Sequence, residues 1–268
     1  MSDGADAGEV PQPEEIYERT KREGERRLTR PLVEVASTAL AAGFDVIAGL
    51  TVFALVSSLL AERFGAGVAH LGGSVAFGIA FVFLVVGKAE LFTENFLVPI
   101  AGLDRRRRSS WWALVRLWTI SPVANLVGGA LIVLILTVHD VLPQGAGTPL
   151  VDAAETLHSH GTLSLFFSAV FAGGLMTAMT WFVEGSPQMG VRIVVAWIAG
   201  AILTLGYFDH VIVDTLLLLF GRRFGGDIPW LFVLGNFGLA AAGNMLGGIG
   251  LVTLNRMTQG GAAGARSG

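Results

Sequence analysis

The chain has 268 residues, of which 53% are hydrophobic and only 15% charged, with a formal net charge of −3 and a mean hydropathy of +0.64. A soluble domain carries about a quarter charged residues, so this composition points to a membrane protein. With no cysteine in the chain, disulfides, thiol catalysis and thiolate metal sites are excluded, and the small net charge says little about partners.

Much of the charge sits near the start, in 13-PEEIYERTKREGERRLTRP-31. A secretory signal needs a basic start, a short apolar core and a cleavage site. This stretch is acidic, then mixed in charge, and reads as a cytoplasmic amphipathic helix forming a solvated cap before the first span. A membrane helix needs roughly 20 apolar residues. Six runs approach that, at 34–61, 68–89, 110–138, 163–184, 191–208 and 228–254. Two shorter apolar pieces, 95–103 and 211–221, directly follow polar interruptions at 88-KAELFTEN-95 and 207-YFDH-210. A short apolar piece abutting a polar break is the pattern of a discontinuous helix. The expected organisation is a charged cytoplasmic segment at 1–32, a transmembrane domain at 33–255 and a flexible cytoplasmic tail at 256–268.

Lysine and arginine set orientation. The leader, the loop 104-DRRRRSSWW-112, Arg256 and Arg266 are basic, whereas the loop 139–162 has neither residue type. Six spans with both termini in the cytoplasm fit this, with Arg222 and Arg223 outnumbered on the outer side. The arginine run flanked by tryptophans reads as a membrane-surface anchor, not a nucleic-acid site.

An internal repeat underlies the pattern. The stretch 125-NLVGGALIVLI-135 resembles 244-NMLGGIGLVTL-254 at an offset of 244 − 125 = 119. At the same offset Ile79, Ala80, Leu84 and Gly87 meet Ile198, Ala199, Leu203 and Gly206, while Glu90 meets Asp209 and Asn95 meets Asp214. Repeats at about 33–138 and 162–255 each hold three spans. An odd number makes the second copy enter the membrane from the opposite face, giving inverted repeats whose breaks converge near mid-membrane.

The breaks supply the candidate residues: Lys88, Glu90, Thr93 and Glu94 in the first, Asp209, His210 and Asp214 in the second. An ionisable residue at the bilayer centre costs about 2.5–3.5 kcal/mol on insertion scales and is a functional candidate by default. Glu90 and Asp209 have a structural reading too, as caps accepting backbone N–H groups at the breaks. His210 has no ionisable counterpart, since Leu91 holds the equivalent place, and an imidazole can donate, accept or charge near neutral pH. Asn125 and Asn244 either bond to the exposed backbone of the breaks or tie neighbouring helices. Gly128, Gly129, Gly247 and Gly248 allow close helix approach. His158 and His160 are a loop pair with an incidental spacing, and no metal or cofactor is expected.

Glu90-Leu91-Phe92-Thr93 in a broken second span, Phe208-Asp209-His210 in a broken fifth and Gly243-Asn244-x-x-Gly247-Gly248 in the sixth together resemble the formate/nitrite transporter family. The similarity covers roughly 33–255, and the charged leader is similar to that of a less characterised branch. The resemblance implies an all-α, aquaporin-like channel domain assembled as a homopentamer in the inner or plasma membrane. Its implied substrates are small monovalent anions or weak acids, such as formate, nitrite or a similar monocarboxylate, moved through a channel or with protons. By the same resemblance His210 is the central histidine, Thr93 and Leu91 are the loop residues facing it, and Leu203 stands at a constriction. Phe92, Phe208, Glu90, Asp209, Asn125 and Asn244 complete the expected pore set. Two departures affect the substrate: Asp214 stands where the family commonly has asparagine, and Gly161, beside His160, where a vestibule lysine is usual. A pore for a neutral solute or cation is therefore the alternative on the same fold. A membrane-embedded enzyme is a third reading, disfavoured by the lack of a metal-ligand cluster or nucleophile–base pair.

Overall fold

Helix begins where proline and acidic residues favour a first turn. In the computed structural model, which describes residues 11–264 with side chains to 260, α1 spans Pro13–Thr29. It has Glu14 and Glu15 in its first turn and Arg26 and Arg27 in its last, the arrangement that complements the helix dipole. The first ten residues of the expected leader and the last four of the expected tail lie outside the described residues.

Helix α2 spans Leu32–Phe77 and turns back on itself at Gly65, whose φ of +79° a side chain would resist. Ser57 Oγ donates to the Ala69 carbonyl at 3.1 Å, and a Cβ on Gly72 would stand 2.3 Å from Leu60. These contacts pair residues on either side of Gly65, so the arms run antiparallel. The expected loop between the first two runs is reduced to this glycine. Helix α3 (Ile79–Gly87) follows, then a 3₁₀ turn at Phe92–Phe96 and the single-turn α4 (Val98–Ala101).

The later helices are α5 (Arg108–Leu136), α6 (Thr148–Ser159), α7 (Thr162–Gly185), α8 (Met189–Leu205), α9 (Val211–Arg223) and α10 (Trp230–Met245). A π-helical stretch at Leu246–Thr253 leads into α11 (Leu254–Gly264), so the chain past residue 254 continues as helix. The long loop before α7 carries α6, which the apolar pattern does not announce. Leu150, Ala153, Ala154 and Leu157 form its buried face. Among the described residues every regular element is helical. Four stretches are long and apolar enough to cross a membrane: Leu32–Gly87, Arg108–Leu136, Thr162–Gly185 and Trp230–Gly260. Met189–Leu205 is apolar and shorter.

The sequence offset reappears as geometry. Helix α3 stops at Lys88 (φ 53°) with Ala89 N–H on Leu84 O at 3.0 Å; α8 stops at Tyr207 (φ 49°) with Phe208 N–H on Leu203 O at 3.0 Å. Both are left-handed non-glycine residues, a conformation that costs energy and here ends each helix abruptly. Backbone approaches repeat as well. A Cβ on Gly43 would lie 2.0 Å from Asn125 O, and one on Gly173 2.1 Å from Asn244 O. Gly128 approaches Leu40 O and Gly247 approaches Val170 O in the same way, at 2.2 and 1.8 Å for the added Cβ. Small residues thus set the spacing of α2 on α5 and of α7 on α10.

Gly43→Ala and Gly173→Ala should each destabilise the protein by about 1–3 kcal/mol through overpacking. Gly161→Ala, where an added Cβ meets nothing within 4 Å, should not. Thermal unfolding in mild detergent monitored by size-exclusion chromatography checks this, and equal melting of all three variants would refute the close-approach argument.

Candidate functional site

Breaking a helix at membrane depth leaves backbone groups that protein must satisfy. Two asparagines meet that demand with matching bonds. Asn125 Nδ2 donates to Ala39 O (2.8 Å) and Glu90 O (3.0 Å), and its Oδ1 accepts Phe92 N–H at 3.0 Å. Asn244 Nδ2 donates to Ala169 O (2.8 Å) and Asp209 O (2.9 Å), and its Oδ1 accepts Val211 N–H at 2.9 Å. Of the two roles open for these residues, each performs both, since one amide bonds the break and the neighbouring helix together.

The caps are not the residues expected. Leu91 N–H goes to Glu94 Oε2 at 3.2 Å, and His210 N–H goes to Asp214 Oδ2 at 2.5 Å. Glu90 and Asp209 are committed elsewhere. Glu90 forms ion pairs with Arg27, at 3.3 Å, and with Arg30, while Arg27 also donates to Asn95 Oδ1 at 3.1 Å. Asp209 Oδ1 accepts Asn236 Nδ2 at 3.1 Å, and its backbone N–H donates to Ser168 Oγ at 2.9 Å.

The reading of the leader as a solvated cap is likewise corrected. Arg27 and Arg30 are 8% and 5% exposed, because α1 lies against α4: a Cβ on Gly24 would fall 2.0 Å from Val98 O. Arg116 fastens the end of α1 by donating to Arg30 O at 2.8 Å. Burial works against the Arg27 charge, but Glu90, Glu94 and Glu23 outweigh it and hold the guanidinium's pKa above its ordinary value. Arg27, Arg30 and Asn236 are site residues that pattern reading missed. The recurrence of arginine at 22, 26 and 27 on one helix and at 30 just past its end was the available signal for the first two.

Where the two breaks meet, Thr93 Oγ1 and His210 Nε2 are 2.8 Å apart, both fully buried. Val213 N–H donates to His210 Nδ1 at 3.2 Å. That nitrogen therefore carries no proton, the ring is neutral, and Nε2–H donates to the threonine. The Phe81 ring stands nearly perpendicular to the imidazole at 6.5 Å. Leu91, Phe92 and Leu203 are buried in the same apolar core as Phe81, and Phe208 packs on Phe171 at 4.4 Å.

Two cavities are lined by chain neighbours of this contact. The larger, about 190 Å³, is lined by Arg26, Arg27, Lys88, Glu90, Glu94 and Glu184 among others. The smaller, about 20 Å³, is lined by residues that include His70, Leu203, Tyr207, Phe208 and Asp214. His70 stacks flat on Tyr207 at 4.3 Å. Thr93 adjoins Glu94 of the first cavity, and His210 lies one turn from Asp214 of the second. Among the described residues no group of three or more His, Asp or Glu side chains is arranged to hold a metal, and His158 packs at a tilt against Phe232.

Two broken helices meeting at a buried threonine–histidine contact make a membrane transport site the natural comparison. The family model for the formate/nitrite transporter matches residues 14–258, and the chain belongs to that family. It is 23% identical over 237 residues to the inner membrane protein YfdC of Escherichia coli K12, covering 87% of this chain and 74% of that protein. Its fold is similar to a solved FNT family ion channel, with a TM-score of 0.76 at 17% identity over 90% of this chain and 96% of the other. It is also similar to a solved pentameric formate channel with formate bound, with a TM-score of 0.70 at 21% identity over 83% and 94%.

Asn125→Ala and Asn244→Ala each strand buried backbone groups, at about 1–3 kcal/mol per unsatisfied group. Both should lower the melting temperature by comparable amounts, whereas exposed Asn255→Ala should not. A melting loss in only one of the two would break the equivalence.

Proposed function

We propose that the chain is a channel or proton-coupled transporter for small monovalent anions that are conjugate bases of weak acids, with formate and nitrite as the first substrates to test. The carrying observation is the neutral His210 Nε2–H on the buried Thr93 Oγ1, with one cavity lined by Glu94 and the other by Val213 and Asp214. An anion crossing the apolar core at Leu91, Phe92 and Leu203 loses its hydration, and protonation there removes most of that cost. His210 and Thr93 are the donors that hold the substrate's oxygens as it passes, with Phe208 and the paired asparagines shaping and bracing the passage.

In this reading the chain crosses the membrane six times, as two inverted repeats related by an axis in the membrane plane. The repeated contacts of Asn125 and Asn244, and of Lys88 and Tyr207, support it. Both termini are cytoplasmic, so the larger cavity opens inward and the smaller one outward. The protein sits in the inner or plasma membrane as a homopentamer, each protomer with its own pore. The solved formate channel with a pentameric assembly supports the last point by likeness of fold.

A second reading, a pore for a cation or neutral solute, draws on Asp209 and Asp214, for which no lysine or arginine partner is found among the described residues. Acidic rings favour cations elsewhere.

Flux into proteoliposomes separates the two. Formate and nitrite should be carried faster as external pH falls, and glycerol and ammonium should not be. His210→Asn should lower formate uptake at least about tenfold, which corresponds to about 1.4 kcal/mol of barrier. Unchanged flux and pH dependence in that variant would leave the histidine a structural residue only. For topology, single cysteines at Ser109 and Gln144, both exposed, should react from opposite sides of the membrane. Labelling of both by one impermeant reagent in intact cells would overturn the six-span arrangement.

A further inference from the structure

Beside His210 the acceptors outnumber the donors. The Asp214 carboxyl lies against the peptide that joins Asp209 to His210, accepting its N–H at 2.5 Å, and so close to Asp209 that the two carboxyls interact. Asp209 is fully buried and Asp214 8% exposed. Asp209 Oδ1 takes Asn236 Nδ2–H and Asp214 Oδ2 takes His210 N–H, but Asp209 Oδ2 has no donor among the described residues. On the other side of the same contact, the buried Asn236 Oδ1 also lacks one.

Among the described residues, the groups facing the pair include no lysine or arginine. His210 is neutral by its own hydrogen bonds, α10 contributes Asn236, and α7 contributes Ser168 through the Asp209 amide. Across the smaller cavity stand His70, whose Nε2–H is spent on Leu205 O at 3.1 Å, and Tyr207 stacked on it. Two adjacent ionised carboxylates without a cation repel strongly, and in such a pair one holds a proton. The first break differs in this respect, because Arg27 and Arg30 neutralise Glu90.

We propose that Asp209 and Asp214 form a proton-binding site that loads from the smaller cavity and supplies the proton for weak-acid permeation. This rests on the transport reading above. At rest the pair shares one proton, carries a single negative charge and repels anions at the mouth it lines. A second proton, taken from hydronium in the water of that cavity, makes the pair neutral and admits the anion. The O–H bond of Asp214 then breaks as an O–H bond to the substrate's oxygen forms. The neutral acid moves on to Thr93 and His210, and the pair returns to its singly protonated state. His210 remains a neutral hydrogen-bond donor throughout, and Asp214 is the group that sets the pH response.

Infrared difference spectroscopy of the full chain in lipid bilayers reads the resting proton without any transport. Wild-type protein at neutral pH should show a protonated-carboxyl C=O band that shifts in ²H₂O and is missing from both Asp209→Asn and Asp214→Asn. No such band in wild type, or one left intact in Asp214→Asn, overturns the proposal. If either variant fails to assemble, the wild-type pH titration decides. A band confined to pH values where ordinary surface carboxylates protonate would also overturn it. In liposomes, Asp214→Asn should lower formate uptake about tenfold, because the proton donor is gone while Asp209 keeps the single resting negative charge, and should flatten the pH profile. Unaltered uptake and pH profile in that variant would refute the role in permeation. Wild-type protein that carries no formate yet shows the band would refute the substrate reading and leave the proton site standing.

Discussion

Everything at the centre of this protein depends on satisfying backbone polar groups where a helix stops inside an apolar environment. Lys88 and Tyr207 turn the chain out of helix in the left-handed conformation, and each turn exposes amides and carbonyls that lipid cannot bond. Asn125 and Asn244 supply three bonds apiece to those groups and to the adjoining helix. Because each asparagine sits on a helix brought close by glycine, the position of the break is tied to the helix spacing. The result is two half-helices whose polar ends meet as Thr93 and His210.

The two ends of that meeting differ in how their charge is handled. On one side Arg27 and Arg30 reach from α1 to neutralise Glu90, and Arg27 also holds the 3₁₀ turn through Asn95. Breaking such a buried pair from one partner costs about 3–5 kcal/mol, so α1 is built into the site instead of resting on it. On the other side Asp209 has an amide for a partner and Asp214 a backbone N–H. Glu90 on one face is neutralised by arginine, whereas Asp209 and Asp214 on the other have no lysine or arginine partner among the described residues, and this difference underlies the proposed direction of proton supply.

Much of this was legible in the sequence. The gapless offset of 119 residues carried the equivalence of Glu90 with Asp209 and Asn125 with Asn244, and hydrophobic runs located the long helices. Other features were hidden for physical reasons. The break at 62–67 was legible between the first two runs, but its reduction to one left-handed glycine, Gly65, was not, because the φ that folds the helix back leaves no mark in composition. A basic amphipathic helix next to a membrane looks solvated, since its partner Glu90 lies 60 residues away from Arg30. Caps were assigned to Glu90 and Asp209 because they stand at the equivalent positions of the offset. The carboxylates that accept the break amides are Glu94 and Asp214, three and four residues beyond the amide each one caps, the reach of a single helical turn.

The claim on which the mechanism turns is that His210 is a neutral donor, its Nδ1 occupied by Val213 N–H and its Nε2–H directed at Thr93. Solid-state ¹⁵N NMR of histidine-labelled protein in bilayers observes this directly, with the His210 signals assigned by their absence from His210→Asn. The account predicts a neutral ring protonated at Nε2, with the Nε2–H signal perturbed in Thr93→Val. An imidazolium, or a neutral ring protonated at Nδ1, would contradict it.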